Sequence, residues 1–599
     1  MIHSLIETGC PPSLIYIVGA LMIPFLKGRI KSVYMLLIPL VSLFVMAGVD
    51  IHGGARWTFG LLTFGPEFNL IFGRIDALSR AFGIIFIIIT FIGLIYALKV
   101  NDDLQYMAGL CYAGGALGVT FAGDLFSLYI FWEVMAIAST FLILARRTQA
   151  SQAAAFRYIL VHIVGGLSLL AGIVLYIQAY KTTQFSYIGL TGPAAWFIFI
   201  GVAINATVFP IHGWLKDAYP EATIAGAVFL SAFTTKSAVY VMARMFPGTD
   251  LLIVLGTLMA AIPIFYAIIE NDIRRVLSYS LINQIGFMLC GIGIGSQLAI
   301  NGAVAHAFCH ILYKALLFMS AGAVMEMTGK SRCTDLGGLY RTMPLTCLFC
   351  IIGAASISAV PLFSGFVSKS MIISAVGYEK LLLVWMVLQF AAVGVYCGLK
   401  VPYFMFFGKD SGLRPKEAPV HMHVAMGMAA FLCIYTAIDY KSLYSLLPFA
   451  VDYVPYTDSH VIGQLQLLLF GALAYFLLIR SGLYPSEIRA ENLDTDWFYR
   501  KGGRVFYRLA DAVMNTANAV ADAVIVRGLT ASINRFAQKA PATLAGLFLL
   551  PFKGLLTDEP TDDATFTSRI TRAFDSGSLP VGLTALVATV FIMVLIALT

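Results

Sequence analysis

Apolar runs of about 17 to 25 residues, the length that crosses a hydrocarbon core, recur along this 599-residue chain from residue 13 onward. Nothing else constrains the fold as much. Inside lipid every backbone N–H and C=O must be paired within its own helix or within a closed barrel. A barrel would show stretches of roughly 10 residues alternating in polarity, and the sequence has none. With 59% hydrophobic and only 12% charged residues, the chain reads as an all-α polytopic membrane protein of about sixteen spans. The opening segment, MIHSLIETGCPPSLIYIVGALMIPFLKGRIK, begins acidic rather than basic and lacks a small-residue cleavage pattern, so a retained first span is expected.

The net charge of +7 calls for no nucleic-acid partner, because membrane proteins carry basic loops on their cytoplasmic side. Basic clusters follow the odd spans: KGRIK (27 to 31), Arg146 with Arg147, Arg274 with Arg275, KSR (330 to 332) and KDSGLRPK (409 to 416). Loops after even spans hold only Arg56, Arg74, Lys181 and Arg244 as their main basic residues. The expectation is an integral protein of a bacterial or archaeal inner membrane, with its N-terminus outside and loops after odd spans in the cytoplasm. The nine cysteines fall mostly as single residues in apolar runs. The one CxxC, Cys347 with Cys350, has no further Cys or His nearby in sequence to complete a metal site and reads as buried packing.

Composition changes abruptly after about residue 480. From 485 to 577 the chain is mixed and charged, with Arg504, Arg508, Asp511, Asn515, Asn518 and Asp522 on one helical face and Val505, Leu509, Val513, Val520 and Val524 on another. That pattern is an amphipathic helix, expected to lie along the membrane or along neighbouring helices on the cytoplasmic side. A final span runs from about 579 to 599. The stretch EIRAENLDTDWFYRK reads as a solvated connection with aromatic anchors, and His421 and His423 as interfacial.

In the membrane region, a pair of apolar runs stops at proline: GVAINATVF at Pro210 and GAASISAV at Pro361. Proline removes a backbone hydrogen bond and clashes with the preceding turn, so both helices should break at membrane depth. Freed backbone groups are tolerated there only when buried in protein or lining a wet cavity. Charges sit in the same runs. Glu133 lies in FSLYIFWEVMAIAS, Lys236 in AFTTKSAVYV, Lys369 beyond the second break and Lys400 in YCGLKVPYF, while His306, His310 and Lys314 recur every four residues on one helical face. Each such charge costs about 2.5 to 3.5 kcal/mol at a bilayer centre on insertion scales. A structural ion pair would explain one pair but not a series. A metal on His306 and His310 lacks a third ligand nearby and would face Lys314. A relay of protons between titratable groups explains all of them together.

These residues carry a resemblance. FWEVMAIASTFLI, PIHGWLKDAYPEA, FTTKSAVYVMAR, NDIRRVLSYSLINQIGF, HAFCHILYKALLF and PLFSGFVSK match, in order, motifs of the antiporter-like membrane subunits shared by respiratory complex I, Mrp-type sodium/proton antiporters and membrane-bound hydrogenases. The resemblance covers most of residues 60 to 410. It implies two inverted five-helix repeats, each a half-channel, at 101–245 and 246–410, preceded by helices at 1–100 and followed by further helices at 411–484. The segment 485–577 and the anchor 578–599 resemble the lateral helix and last span of complex I's distal antiporter-like subunit. Carried over, Glu133 is the acidic member of the gating pair, Lys236 the central lysine, His306 and His310 the connecting histidines beside Lys314, and Lys369 the terminal lysine. Arg157, His162, Asn205, His212 and Lys400 are auxiliary candidates.

Two positions depart from the pattern. The family's lysine five residues before the first break is Asn205, which removes the usual partner of Glu133 and leaves Arg157, His162 or Lys236 as substitutes. The proline of the WLPDA motif is Lys216, a charge placed near the one lost. The expected function is translocation of protons, or of sodium against protons, by one subunit of a larger membrane complex. The competing readings are a non-pumping scaffold subunit and a stand-alone secondary transporter. No flavin, haem, iron–sulfur or dinucleotide motif stands out. No cofactor or catalytic residue is therefore expected in this chain, and any redox step should belong to partner subunits.

Overall fold

The structure is a computed structural model that describes residues 11–47, 70–490, 492–556, 560–575 and 581–598. The acidic opening and Arg56 lie outside these residues. Among the described residues the regular elements are helical, with only isolated two-residue bridges besides. Twelve helices are long and apolar enough to cross a membrane, and four further apolar helices, Pro12–Phe25, Gly192–Asn205, Pro344–Ile357 and Ala588–Ala597, are shorter. The chain divides into two units, Met1–Asp496 and Trp497–Thr599.

The first unit opens with α1 (Pro12–Leu21), α2 (Gly28–Ala47), α3 (Ala77–Tyr96) and α4 (Asp103–Phe121). A first series follows: α5 (Leu125–Leu144), α6 (Gln149–Tyr180), α7 (Gly192–Asn205), α8 (Gly213–Ala218), α9 (Ile224–Ala232) and α10 (Thr234–Met245). A second comprises α11 (Asp250–Ile269), α12 (Ile273–Ile294), α13 (Gln297–Thr328), α14 (Pro344–Ile357), α15 (Ser364–Tyr378) and α16 (Leu382–Ala392). Helical turns over 395–407, α17 (Val420–Ile438) and α18 (Asp458–Arg480) complete it.

Local chemistry sets the boundaries. Asp124 caps α5 by accepting from the N–H groups of Phe126 and Ser127, both at 2.9 Å, and Asp272 caps α12 through Arg274 and Arg275. Thr148 and Ser151 form a reciprocal box at the start of α6. Each series then repeats the same order. An aspartate-capped helix leads into a 32-residue helix (α6, α13), a short bridge ties the cap back (Asp124 to Gln184, Asp272 to Arg332), and a 14-residue helix (α7, α14) ends before its proline. Helix α7 stops at Asn205 and α14 at Ile357, and helix resumes at Gly213 and Ser364. Thr207 and Ala359, with φ of 55° and 54°, turn the chain through the left-handed region at equivalent places.

Packing is close where side chains are small. Gly256 on α11 and Gly286 on α12 face each other, and a Cβ on either would lie 2.5 Å from the opposing backbone nitrogen of Cys290 or Ala260. Arg274, read from sequence as a loop cation, is instead buried in the first turn of α12. It donates to the carbonyls of Tyr219, Ala222 and Thr223 at 3.0 to 3.3 Å, which ties the second series to the loop after the first break.

The second unit is a run of helix through α19 (Asp496–Ala521), a π-helical stretch (Asp522–Leu529) and α20 (Thr530–Leu549), followed by α21 (Asp563–Asp575) and α22 (Val581–Leu598). Its small core joins Ala545 and Leu549 of α20 to Phe566 and Ile570 of α21. The apolar stripe of α19, with Val505, Leu509 and Val513, is exposed.

Candidate ion pathway

Three sets of buried polar residues occupy the first unit. In the first series, Glu133 stands on α5 against α6, where Gly166 makes room for it: a Cβ there would collide with the Glu133 carboxylate. Glu133 Oε1 is buried without a hydrogen-bond partner, and among the described residues no cation pairs with Glu133. The three substitutes weighed from sequence are engaged elsewhere. Arg157 binds Asp217 through two bonds of 2.6 and 2.9 Å, His162 meets the Tyr158 carbonyl at 2.9 Å through Nδ1, and Lys236 donates to the Ser231 carbonyl. Asn205 is fully buried at the end of α7 with both amide atoms unpartnered. His162 stacks on Tyr158 and meets Trp214 edge-on, with ring centroids 3.9 and 4.6 Å apart.

The second set surrounds α13. His306, His310 and Lys314 are all fully buried on it. His306 lies between Ser368 of α15, at 3.0 Å from Nδ1, and Gln284 of α12, at 3.2 Å from Nε2. Tyr313 donates to the same Gln284 oxygen at 2.9 Å, and Gln284 and Tyr396 both donate to Asn283. Lys314 donates to Ser280 of α12, while both ring nitrogens of His310 are unpartnered. Lys369 donates to the carbonyls of Ile357 (2.5 Å) and Ala392 (3.2 Å), the last residues of α14 and α16, and lies 5.3 Å from the Phe287 ring centroid.

A pattern emerges among the lysines. Lys236 reaches a carbonyl in the last turn of α9, Lys369 reaches two helix ends, and Lys400 donates to Ala267, Ile268 and Glu270 at the end of α11, at 2.6 to 3.1 Å. Carbonyls at a helix C-terminus lack intrahelical donors and carry about half a negative charge. Helix ends thus supply the partial charge that holds an ammonium group in an apolar interior, and no carboxylate pairs with Lys236, Lys314 or Lys369 among the described residues.

The third set comes from the stretch read as a solvated connection, and that reading is corrected. Glu487, Asp494 and Asp496 bring carboxylates against the helices of the first unit, to which they belong. Glu487 lies 2.8 Å from Lys400, Asn492 donates to Glu270 at 3.1 Å, and Asp496 lies 2.8 Å from Lys216. Asp494 is buried between His212 (3.3 Å), Lys216 (3.6 Å) and the Tyr279 hydroxyl (2.9 Å). Burial opposes the charge of Asp494, but His212, Lys216 and the Thr495 N–H outweigh it and hold the carboxyl below the usual carboxylate range. Lys216 therefore meets two carboxylates of the connection, an engagement its position near the first break did not announce. Sequence missed these contacts because a charged connector looks alike whether solvated or docked. The signal available was Lys216 itself, a cation in a motif that otherwise has proline.

A cavity of about 910 Å³ opens beside Lys369, lined mainly by apolar side chains of α15, α16 and α18, with His460, Gln464 and Tyr396 among its polar groups.

Comparison with known proteins agrees with this architecture. Residues 122–394 match the family described as NADH:quinone oxidoreductase/Mrp antiporter, transmembrane. The chain is 30% identical over 380 residues to NADH-quinone oxidoreductase subunit N of Desulforudis audaxviator, covering 58% of this chain and 74% of that one. It is 30% identical over 317 residues to a Na(+)/H(+) antiporter subunit of Alkalihalophilus pseudofirmus, covering 49% and 64%. It thus spans less than two thirds of the length of that relative. Among solved structures it superposes on a chain of the Mrp complex from Dietzia sp. with a TM-score of 0.66 at 20% identity, over 75% of this chain and 99% of that one. A chain of the membrane-bound sulfane sulfur reductase, an archaeal respiratory membrane complex, gives 0.65 at 24% identity, over 74% and 96%.

Proposed function

Because the chain belongs to the NADH:quinone oxidoreductase/Mrp antiporter transmembrane family, we propose that it is an ion-translocating subunit of a multi-subunit membrane complex. Protons, alone or exchanged for sodium, pass through two half-channels joined by the buried series. The observation that carries this reading is the set of fully buried lysines and histidines spanning both series: Lys236, His306, His310, Lys314 and Lys369. A fold gains little from such groups, since buried charges cost more than apolar side chains of the same volume. Repeated order supports two half-channels: a capped helix, a 32-residue helix and a broken helix occur once around Glu133 and once around His306. The break at Pro361 supplies one of the helix-end carbonyls that such ammonium groups need, Ile357, which Lys369 takes.

The relatives named as antiporter and quinone-reductase subunits support membrane partners for this chain as well. The exposed apolar stripe of α19 fits a lateral helix covered by those partners or by lipid. The orientation with basic loops in the cytoplasm of a bacterial or archaeal cell remains the proposed one.

The scaffold reading has one observation in its favour, the unpaired Glu133 in the same half as Asn205, where the resemblance leads one to expect lysine. Reconstitution decides between the two. The assembled complex in vesicles with an internal pH dye should translocate, and Lys236→Ala or Lys314→Ala should abolish transfer while leaving assembly intact. Wild-type transfer by both variants would rule the relay out.

A further inference from the structure

We propose that Asp494 is a positioning residue of the ion path, completing with His212 a protonatable pair at the connector-facing end of the first half-channel. The connector 487–496 then belongs to the translocation machinery. This rests on the relay reading given above.

The geometry is that of a built site. The side chains of His212 and Asp494 are 1% and 0% exposed, with His212 Nε2 3.3 Å from Asp494 Oδ1. Asp494 is fixed from three further sides: Tyr279 donates to Oδ2 at 2.9 Å, the Thr495 N–H to Oδ1 at 2.6 Å, and Lys216 lies 3.6 Å away. Asp496 holds the far side of the same Lys216. Lys216 and Asp496 keep 10% and 8% of their side chains exposed, so the pair is buried one residue away from solvent.

Charge balance gives the cluster its chemistry. One cation, Lys216, faces two carboxylates, Asp494 and Asp496. A proton on His212 brings the sum to zero. Arg157 and Asp217 neutralise each other by a bidentate pair, Arg274 is taken up by three backbone carbonyls, and His162 is turned to the Tyr158 carbonyl. Both ring nitrogens of His212 are buried outside hydrogen-bonding geometry, Nε2 meeting Asp494 only as a close charge contact, and the ring stacks on Phe209 of the first break. With Nε2 facing the Asp494 carboxylate at 3.3 Å, Nδ1 is the atom that can pass a proton inward. An ionised Asp494 serves as fixed counter-ion and is not itself the carrier. The reaction is proton transfer alone: one N–H forms as the donor, water or hydronium, loses its proton, and the reverse transfer restores the ring.

The assembled complex in pH-dye vesicles tests this. His212→Ala should lower translocation about a hundredfold and regain much of it on addition of imidazole. Asp494→Ala should slow translocation at least about tenfold, acetate should partly restore it, and Asp494→Glu should keep most of the rate. A contact that merely holds the connector would not respond to imidazole or acetate, so absence of rescue in both alanine variants overturns the inference. So does wild-type translocation by Asp494→Ala. If Lys314→Ala abolishes transfer while Asp494→Ala is not slowed, this inference falls and the relay stands. If Lys236→Ala and Lys314→Ala both translocate normally, the relay itself falls.

Discussion

Around α13, His306, Gln284, Tyr313, Asn283 and Tyr396 are joined in one hydrogen-bonded chain, and Lys369 caps two helix ends. Around α5 and α7, Glu133 Oε1, both amide atoms of Asn205 and Nε2 of His162 are buried without partners and no comparable chain of bonds joins them, whereas in the second half the unpartnered groups are the two ring nitrogens of His310 and the Ser364 hydroxyl beside that chain. The two halves share their helix order but not their polar wiring. An unsatisfied buried polar group costs about 1–3 kcal/mol, so the bonded chain from His306 to Tyr396 stabilises the second half in a way that nothing around Glu133 and Asn205 does, His310 being the second half's own exception. Polar atoms of this kind are where water or an ion binds inside a protein. On the proposed function, the first half would offer open sites for ions and the second a connected, pre-oriented set.

The contrast can be broken most visibly at Gln284. Gln284→Leu removes the partner of His306 and Tyr313 together and also a donor to Asn283. It should destabilise the chain by several kcal/mol, at about 1–3 kcal/mol per group left unpaired. A large drop in the thermal transition of the purified protein in detergent is expected. An unchanged transition would mean that the chain of bonds contributes nothing.

Gly166→Ala probes the first half. The new Cβ collides with the Glu133 carboxylate, and overpacking of this kind costs about 1–3 kcal/mol. Glu133 should be displaced and translocation slowed about tenfold, the equivalent of about 1.4 kcal/mol. Gly165→Ala, whose Cβ would sit 3.3 Å from Ile204, is the control with a smaller effect. Equal rates for both variants would detach Glu133 from the path.

The smallest effect is expected at Asn205. Because neither amide atom has a partner, Asn205→Leu removes no hydrogen bond, and replacing an unsatisfied polar group by an apolar one is near neutral. Its thermal transition should match the parent protein within the equivalent of about 0.5 kcal/mol. A loss as large as that of Gln284→Leu would erase the difference between the halves.

The helical membrane fold was legible because apolar length and backbone pairing leave lipid-spanning chains few alternatives. The breaks were legible because proline has no N–H to donate, and helix does stop before Pro210 and Pro361. Lysines and histidines within apolar runs were visible as costly exceptions. Their contacts were not. Lys369 caps residues 12 and 23 positions away, and Lys400 and Glu487 meet across 87 residues of chain. Asp494 lies 282 residues from His212, and pattern alone cannot bring a connector to a broken helix. Asp124, nine residues before Glu133, is a helix cap legible from its neighbours Phe126 and Ser127, although its carboxylate also takes the Ile71 N–H, 53 residues away, at 2.6 Å.

The most direct test of the account is the residual translocation rate of the assembled complex when one half is disabled at a time, by Lys236→Met in the first or Lys369→Met in the second. If the buried series is one path through both halves, either substitution alone reduces translocation about a hundredfold or more. Two independent pores would each carry about half the flux, and either variant keeping half the parent rate would contradict a single path.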